Sequence, residues 1–148
     1  MHLLIASDGS ELAVQAAQRG LELLGRPERL TLLSVVSHMP TMDTSGAEGV
    51  MYSPETDQAL LNVELDHANE ELASTAHALH DIAVDKRVEI GDAATTICDV
   101  AAELGVDVIV VGSHGRKGIS RLFLGSTSEH VVRNAPCPVL VVREEPPE

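Results

Sequence analysis

Residues 110–132, VVGSHGRKGISRLFLGSTSEHVV, combine the residue types that can hold a phosphate group. The segment leaves an apolar run and passes through a loop that contains four glycines, Gly112, Gly115, Gly118 and Gly125. Glycine lets backbone N–H groups approach an anion closely, and the positive end of a helix favours negative charge. Ser126 and Glu129 fit a capping box, so a helix capped by Ser126 is predicted to begin where the loop ends.

The charge distribution of this segment also favours a small anionic ligand. The whole chain has 10 basic and 23 acidic side chains and a formal net charge of −13. Residues 108–128 contain no Asp or Glu but hold His114, Arg116, Lys117 and Arg121. A basic patch on an acidic protein indicates a small anion rather than a nucleic acid. Stacking on single-stranded nucleic acid is further excluded because Tyr52 and Phe123 are the only aromatic side chains.

The glycine spacing differs from the two common phosphate-binding motifs. The chain contains no G-x-x-x-x-G-K-[ST], and glycines 112, 115 and 118 do not form G-x-G-x-x-G. The loop also follows a late strand, whereas the dinucleotide fingerprint follows the first strand. The residues alone therefore leave two interpretations: a phosphate-binding loop of another type, or a solvated basic loop whose glycines serve only to turn the chain.

Strands and helices are predicted to alternate along a single domain that spans residues 1–143. Apolar runs predict five strands, at residues 2–7, 29–36, 84–91, 107–112 and 138–142. Capping residues and apolar stripes predict four helices, which begin near Ser10, Ser53, Asp92 and Ser126. This alternation predicts an α/β fold with one open parallel sheet and helices on both faces. Residues 37–54 are predicted to be a flexible loop, and residues 144–148 a polar tail.

The glycine segment resembles the C-terminal signature of the universal stress protein family. The ATP-binding branch of that family carries G-x2-G-x9-G-[ST], which is matched without a gap by Gly112, Gly115, Gly125 and Ser126. Three further stretches resemble the opening, the second strand and the ending of the family: LIASDGS (4–10), LTLLSVV (30–36) and APCPVLVV (135–142). The resemblance covers the chain except for residues 37–54 and the tail.

This resemblance implies a Rossmann-like, adenine nucleotide alpha hydrolase-like sheet with the strand order 3-2-1-4-5. Ligands of such sheets bind beyond the carboxyl ends of the strands, where the order reverses. The implied ligand is ATP with Mg²⁺. The implied contact residues are Ala6, Ser7, Asp8, Val35, Gly112, Ser113, Gly115, Arg116, Gly125, Ser126 and Thr127.

The resemblance also implies a role for several of these residues. Asp8 would lie near the ribose or the metal, Val35 would offer its backbone to the adenine edge, and residues 125–127 would surround the phosphates together with Gly115 and Arg116. Two alternatives stay open. Asp8 could instead cap the first helix, and His114, a further candidate contact, could approach the phosphates or be exposed to solvent.

Three functions are compatible with these residues. The leading one is a nucleotide-dependent signalling module of the stress response; the others are a slow ATPase or phosphotransferase, and an ATP-independent dimeric scaffold. The intact glycine motif argues against the scaffold. No catalytic residue or metal-ligating set is predicted, since no base is evidently placed to activate water.

The sequence also predicts a cytoplasmic homodimer. Cys98 and Cys137 form no disulfide framework and indicate a reducing compartment. No apolar run approaches the ~20 residues of a membrane helix. The last strand, residues 138–142, would form an exposed apolar edge of the sheet. The family resemblance implies that two chains pair through this strand.

Overall fold

The computed structural model describes residues 1–40, 42–43, 51–80, 82–114 and 124–143. Strands and helices alternate along most of this length. In chain order they are β1 (His2–Ala6), α1 (Glu11–Leu24), β2 (Arg29–Val36), β3 (Met42–Asp43), β4 (Met51–Tyr52), α2 (Pro54–Ala78), β5 (Asp85–Ile90), α3 (Ala93–Leu104), β6 (Val108–Gly112), α4 (Ser126–Asn134) and β7 (Val139–Val142).

Five strands form one parallel sheet in the order β5-β2-β1-β6-β7. Counted along the five predicted strands, this order is 3-2-1-4-5, so the predicted topology is confirmed. The chain builds outward from β1 toward one edge and from β6 toward the other. The order therefore reverses between β1 and β6, and a crevice is expected beyond their carboxyl ends.

Continuous apolar runs in the central strands are buried on both faces of the sheet. Leu3 and Ile5 belong to a cluster that includes side chains of α1 and α2, whereas Leu4 lies in the cluster formed with α3 and α4. All three side chains are fully buried. Burying one such side chain stabilises the fold by about 1.5–3 kcal/mol. The helices thus cover both faces, as predicted.

Local sequence signals set the helix starts and stops at three positions. Ser10 accepts a hydrogen bond from the N–H of Ala13 at the start of α1, and Asp92 accepts one from the N–H of Thr95 at the start of α3. Gly105 ends α3 in the left-handed conformation with a φ of 58°. These caps join residues at most three or four positions apart, so the sequence pattern is enough to predict them.

The predicted loop at residues 37–54 contains two short strands. β3 and β4 pair antiparallel, with Met42 opposite Tyr52. Residues 44–50, between them, lie outside the described part of the chain, as does the predicted tail at 144–148. A strand of two residues has no hydrophobic period, so sequence patterning could not reveal this pair.

Helix α2 has 25 residues and packs against β2 and β5. Ser53 caps it, as predicted, by accepting a hydrogen bond from the N–H of Thr56. Its buried side chains include Ala68, Leu72 and Thr75, whereas most of its first three turns are exposed. Within the ranges given above, no helix is long and apolar enough to cross a lipid bilayer.

Candidate functional site

A cavity of about 190 Å³ opens beyond the carboxyl ends of β1, β2 and β6. It lies where the strand order reverses, which is the place that the fold predicts for a ligand. Seven of the predicted contact residues line it: Ala6, Ser7, Asp8, Val35, Gly112, His114 and Thr127.

Six further residues line the cavity that sequence reasoning did not assign to it. Five of them are apolar, and the six are Ala13, Leu33, Ala93, Ile97, Val111 and Ser128. Apolar residues in strands and helices are normally taken as core residues. Their position in the chain could have indicated the cavity, because a helix that follows a parallel strand starts at the edge of the sheet where ligands bind. These side chains give the cavity apolar walls that suit a flat ring.

The turn after β1 brings Asp8 to the edge of the cavity. Oδ1 of Asp8 accepts a hydrogen bond from the N–H of Ser10 at 3.0 Å. Ser10 in turn caps α1, with 3.2 Å between its Oγ and the nitrogen of Ala13. The capping role that the sequence left open for Asp8 therefore belongs to Ser10, and the Asp8 side chain lines the cavity.

The backbone of Val35 points toward the cavity because β2 runs beyond the end of β1. Ala6 pairs with Leu33, and the N–H of Ser7 donates to the carbonyl of Leu33 at 2.9 Å. The carbonyl of Val36 instead accepts from Gly91, on the β5 side. Since backbone groups alternate sides along a strand, the N–H and C=O of Val35 face the β1 side, where β1 has ended. A donor and an acceptor are thus presented side by side.

Backbone contacts bring the start of α4 against the end of β6. The N–H of Gly125 donates to the carbonyl of Ser113 at 2.8 Å, and the hydroxyl of Ser128 donates to the carbonyl of Gly112 at 2.6 Å. A Cβ atom at position 125 would lie 2.9 Å from the Ser113 oxygen. Glycine is therefore required there by close backbone approach.

The predicted cap of α4 is wrong. Gly125 is the N-cap, without a side-chain hydrogen bond, and Ser126 is the first helical residue. The N–H of Glu129 bonds to the carbonyl of Gly125 rather than to the Ser126 hydroxyl. The reason is tertiary, since the contact with Ser113 places the non-helical cap conformation on Gly125. The first turn of α4, with Thr127 and Ser128, consequently borders the cavity.

The ring of His114 lies at this end of the cavity. Its Nδ1 is 3.0 Å from the hydroxyl oxygen of Ser113. Its Nε2 is buried and has no hydrogen-bond partner in the described part of the chain. Buried polar atoms usually have a partner, and the side chain lines the cavity rather than facing only solvent.

Of the remaining predicted contact residues, three belong to the described part of the chain and two do not. Ser113 is buried and does not line the cavity, while Gly125 and Ser126 lie at the start of α4 next to residues that line it. Gly115 and Arg116 lie outside the described residues, so their role in binding phosphate stays a prediction.

A larger groove of about 460 Å³ adjoins the cavity between the end of β2 and helix α2. It shares Asp8 and Val35 with the cavity, and Glu64, His67 and Glu71 line its α2 side. Nδ1 of His67 lies 3.1 Å from Oε1 of Glu71. Asp8 therefore lies at the border between an apolar cavity and an acidic groove.

His38 holds the segment after β2 against α2. Its Nε2 lies 2.9 Å from Oδ1 of Asp57 and its Nδ1 2.5 Å from Oε2 of Glu64. The hydrogen bond to Glu64, and then the bond and charge of Asp57, raise the pKa of His38. Only the imidazolium form can donate to both carboxylates, because a neutral imidazole carries a single N–H.

We expect the contribution of His38 to stability to decrease as pH rises. Its folded-state pKa lies above the ordinary value for histidine, so the stabilisation is complete below the unfolded pKa and is lost as pH rises through the folded pKa. Urea unfolding of wild type and His38→Gln at about pH 6 and about pH 9 measures this. The difference in free energy of unfolding should be larger at the lower pH. A difference that does not change with pH would contradict the assignment.

Comparison with known proteins decides the family. The sequence model of the universal stress protein family matches residues 1–143. The chain belongs to the universal stress protein family. A putative universal stress protein of Staphylococcus haemolyticus is 34% identical over 151 residues, which cover 99% of this chain and 87% of that protein.

Solved structures of universal stress proteins share the fold. The universal stress protein UspA from Lactobacillus plantarum matches with a TM-score of 0.75 and 27% identity, covering 97% of each chain. A family member from Arabidopsis thaliana, solved with AMP bound, matches with a TM-score of 0.67 over 98% of this chain and 92% of its own. At 19% identity the second likeness shows the fold alone.

Proposed function

We propose that this universal stress protein binds ATP with Mg²⁺ in the cavity and acts as a nucleotide-dependent signalling module in the stress response. The observation that carries the proposal is the direction of the Val35 backbone. Its N–H and C=O face an apolar cavity that also holds a carboxylate and borders a helix N-terminus. The backbone groups and apolar walls suit an adenine ring, the carboxylate suits a ribose or a metal ion, and the helix N-terminus suits a phosphate chain.

The apolar walls and Val35 form the proposed adenine site. Leu33, Ile97 and Val111 supply apolar surface on which a flat ring packs. The edge of adenine offers an amino donor beside a ring-nitrogen acceptor, which pairs with the C=O and N–H of one residue. The Arabidopsis protein, solved with AMP bound, shows that a protein of this fold can hold an adenine nucleotide.

The start of α4 forms the proposed phosphate site. This helix has nine residues, and its first N–H groups have no partner within the helix. They and the helix dipole favour an anion at this end. Gly125 lets the start of α4 lie against the carbonyl of Ser113, and the basic side chain of Arg116 would add charge.

Among the described residues that line the cavity, Asp8 is the carboxylate that fits Mg²⁺. Mg²⁺ prefers oxygen ligands and is often held by one or two carboxylates together with the phosphates of a nucleotide. In the described ranges no group of three or more His, Cys, Asp or Glu side chains could hold a metal by itself. Asp8 would therefore supply one oxygen to an ion that arrives with the nucleotide and neutralises its phosphates.

Titration of the protein with ATP, ADP, AMP and adenosine tests the proposal. We expect affinity to fall in that order, because α4 and Gly125 act on the phosphates. The phosphate contacts together should contribute about 1–3 kcal/mol, or roughly 5- to 150-fold in Kd. Isothermal titration calorimetry measures the Kd of each ligand, first with Mg²⁺ present and again after the Mg²⁺ has been removed by a chelator. Equal affinity for ATP and adenosine would contradict the phosphate site, and no binding of either would contradict the whole proposal.

We also propose that the protein forms a homodimer through β7, which is an edge of the sheet. The carbonyl of Pro138 accepts a hydrogen bond from Ile109 of β6, and that of Val142 accepts one from Ser113, the residue after β6. Because backbone groups alternate sides, those of Val139 and Val141 face away from the sheet and can pair with a second β7.

Val141→Pro is expected to convert this dimer to monomer. Proline removes an N–H that faces outward and is tolerated on an edge strand, so the bonds to β6 remain. Analytical ultracentrifugation measures the mass of each variant in solution. Val141→Ala is the matched control, because it also loses side-chain volume but keeps the N–H and should stay dimeric. Wild type that sediments as a monomer at micromolar concentration would contradict the proposal.

A further inference from the structure

Helix α2 contacts the turn that carries Asp8 through a side chain that does not line the cavity. Thr75, near the end of α2, is 0% exposed. Its hydroxyl oxygen lies 3.1 Å from the hydroxyl oxygen of Ser7, the residue that follows β1. Burying a hydroxyl is unfavourable unless it is hydrogen-bonded, so the partners of Thr75 indicate what this buried polar side chain does.

The hydrogen bonds around Thr75 form a chain with one direction. The Thr75 hydroxyl donates to the carbonyl of Glu71 at 2.9 Å. Having used its proton, Thr75 must accept from the Ser7 hydroxyl, and Ser7 in turn accepts from the N–H of Gly9 at 3.2 Å. Each hydroxyl therefore donates once and accepts once. Removing the Thr75 oxygen leaves the buried Ser7 proton without its acceptor.

Glu71, one helical turn before Thr75 on α2, contacts the same turn at Gly9. Gly9 has a φ of +72°, and a Cβ atom there would lie 2.5 Å from Cβ of Glu71. The turn is thus packed against α2 by direct contact at Gly9 and hydrogen-bonded to α2 at Ser7. Asp8 lies between these two positions, and its Oδ1 accepts from the next N–H, that of Ser10.

We infer that Thr75 is a positioning residue for Asp8, and that helix α2 thereby sets the affinity of the cavity for its nucleotide. The inference rests on the proposed function of the cavity. The Thr75 hydroxyl fixes the rotamer of Ser7, and Ser7 fixes the N–H of Gly9. With both neighbours held, the backbone of Asp8 has one position, and its carboxylate is directed to the border between cavity and groove.

The first test replaces Thr75 by valine, which keeps the shape of the side chain and removes the hydroxyl. Thr75→Val should weaken ATP binding by about tenfold. In the absence of nucleotide, it should also speed hydrogen exchange of the Gly9 amide, measured by NMR. Thr75→Ser, which keeps the hydroxyl, should restore both. Unchanged Gly9 exchange or unchanged affinity in a folded Thr75→Val protein would overturn the inference.

A matched control separates positioning from stability. Thr31 is also a buried threonine, with its hydroxyl 2.9 Å from Nε2 of His2 near the amino end of β2. Thr31→Val should lower the free energy of unfolding about as much as Thr75→Val does. It should leave the ATP affinity of the folded protein unchanged. An equal loss of affinity in both variants would show a general stability effect and overturn the inference.

A double-mutant cycle with Asp8→Ala tests whether Thr75 acts through Asp8. If it does, Thr75→Val should cost little further affinity once Asp8 has been removed. Additive losses would overturn the inference while leaving the proposed function in place. If wild type binds no adenine nucleotide, the proposed function fails and the inference fails with it. Additive losses in a protein that binds ATP, by contrast, would count against the inference alone.

Discussion

Gly125→Val is expected to weaken ATP binding by more than about tenfold while the sheet remains folded. The Cβ atom of the new valine would by itself lie 2.9 Å from the carbonyl oxygen of Ser113. That oxygen is backbone and accepts the N–H of Gly125, so the start of α4 must move away from the end of β6. The N–H groups proposed to bind phosphate would move with it, and the valine methyl groups would occupy the approach to them.

The ligand series provides the control for this variant. Adenosine lacks phosphates, so its affinity should change much less than that of ATP between wild type and Gly125→Val. Calorimetric titration measures both ligands, with circular dichroism to confirm the fold. A folded Gly125→Val protein that binds ATP as well as wild type would place the phosphates elsewhere and leave Gly125 as a turn residue only.

Gly9→Ala is expected to lower the free energy of unfolding by roughly 2–4 kcal/mol, or about 5–15 °C in Tm. Two costs add at this position. A φ of +72° is unfavourable for alanine by about 1–2 kcal/mol. The new methyl group would also lie 2.5 Å from Cβ of Glu71, the root of that side chain, so relief requires α2 or the turn to shift.

Gly105→Ala isolates the first cost, so the difference between the two variants gives the second. Gly105 has a φ of +58°, but nothing lies within 4 Å of a Cβ atom placed there. The free energy of unfolding of Gly105→Ala should therefore fall only by the conformational cost, about 1–2 kcal/mol. Thermal unfolding of the two variants under the same conditions measures the difference. Equal destabilisation would mean that Glu71 moves aside easily and that the turn is not tightly packed against α2.

Much of the fold could be predicted because its signals are local. The runs at Leu3–Ile5 and Val108–Val111 are apolar without alternation, as strands buried on both faces must be. Ser10, Asp92 and Gly105 act within one helical turn, so their types and spacing were enough. The alternation of strands and helices implied a parallel sheet, whereas the strand order was taken from the family resemblance.

The candidate site could be predicted in part. Asp8, Val35 and Gly112 follow or end strands at the carboxyl edge of the sheet, and the structure brings them to one cavity. The apolar walls were not predicted, because Leu33 and Ile97 have the pattern of core residues. A side chain at the edge of a core and one in its centre look alike in sequence, since only packing decides which of them borders a cavity.

Contacts between distant parts of the chain were decided by the tertiary structure alone. By itself the sequence determined where the four helices and the five strands of the parallel sheet form, and which glycines carry a family motif. It did not determine that Ser113 places the cap of α4 on Gly125, that Thr75 hydrogen-bonds Ser7, or that His38 lies between two carboxylates of α2. Helix and strand signals reach about four residues along the chain. These partners are separated by more than that, and only the packing of whole elements against the sheet brings them together.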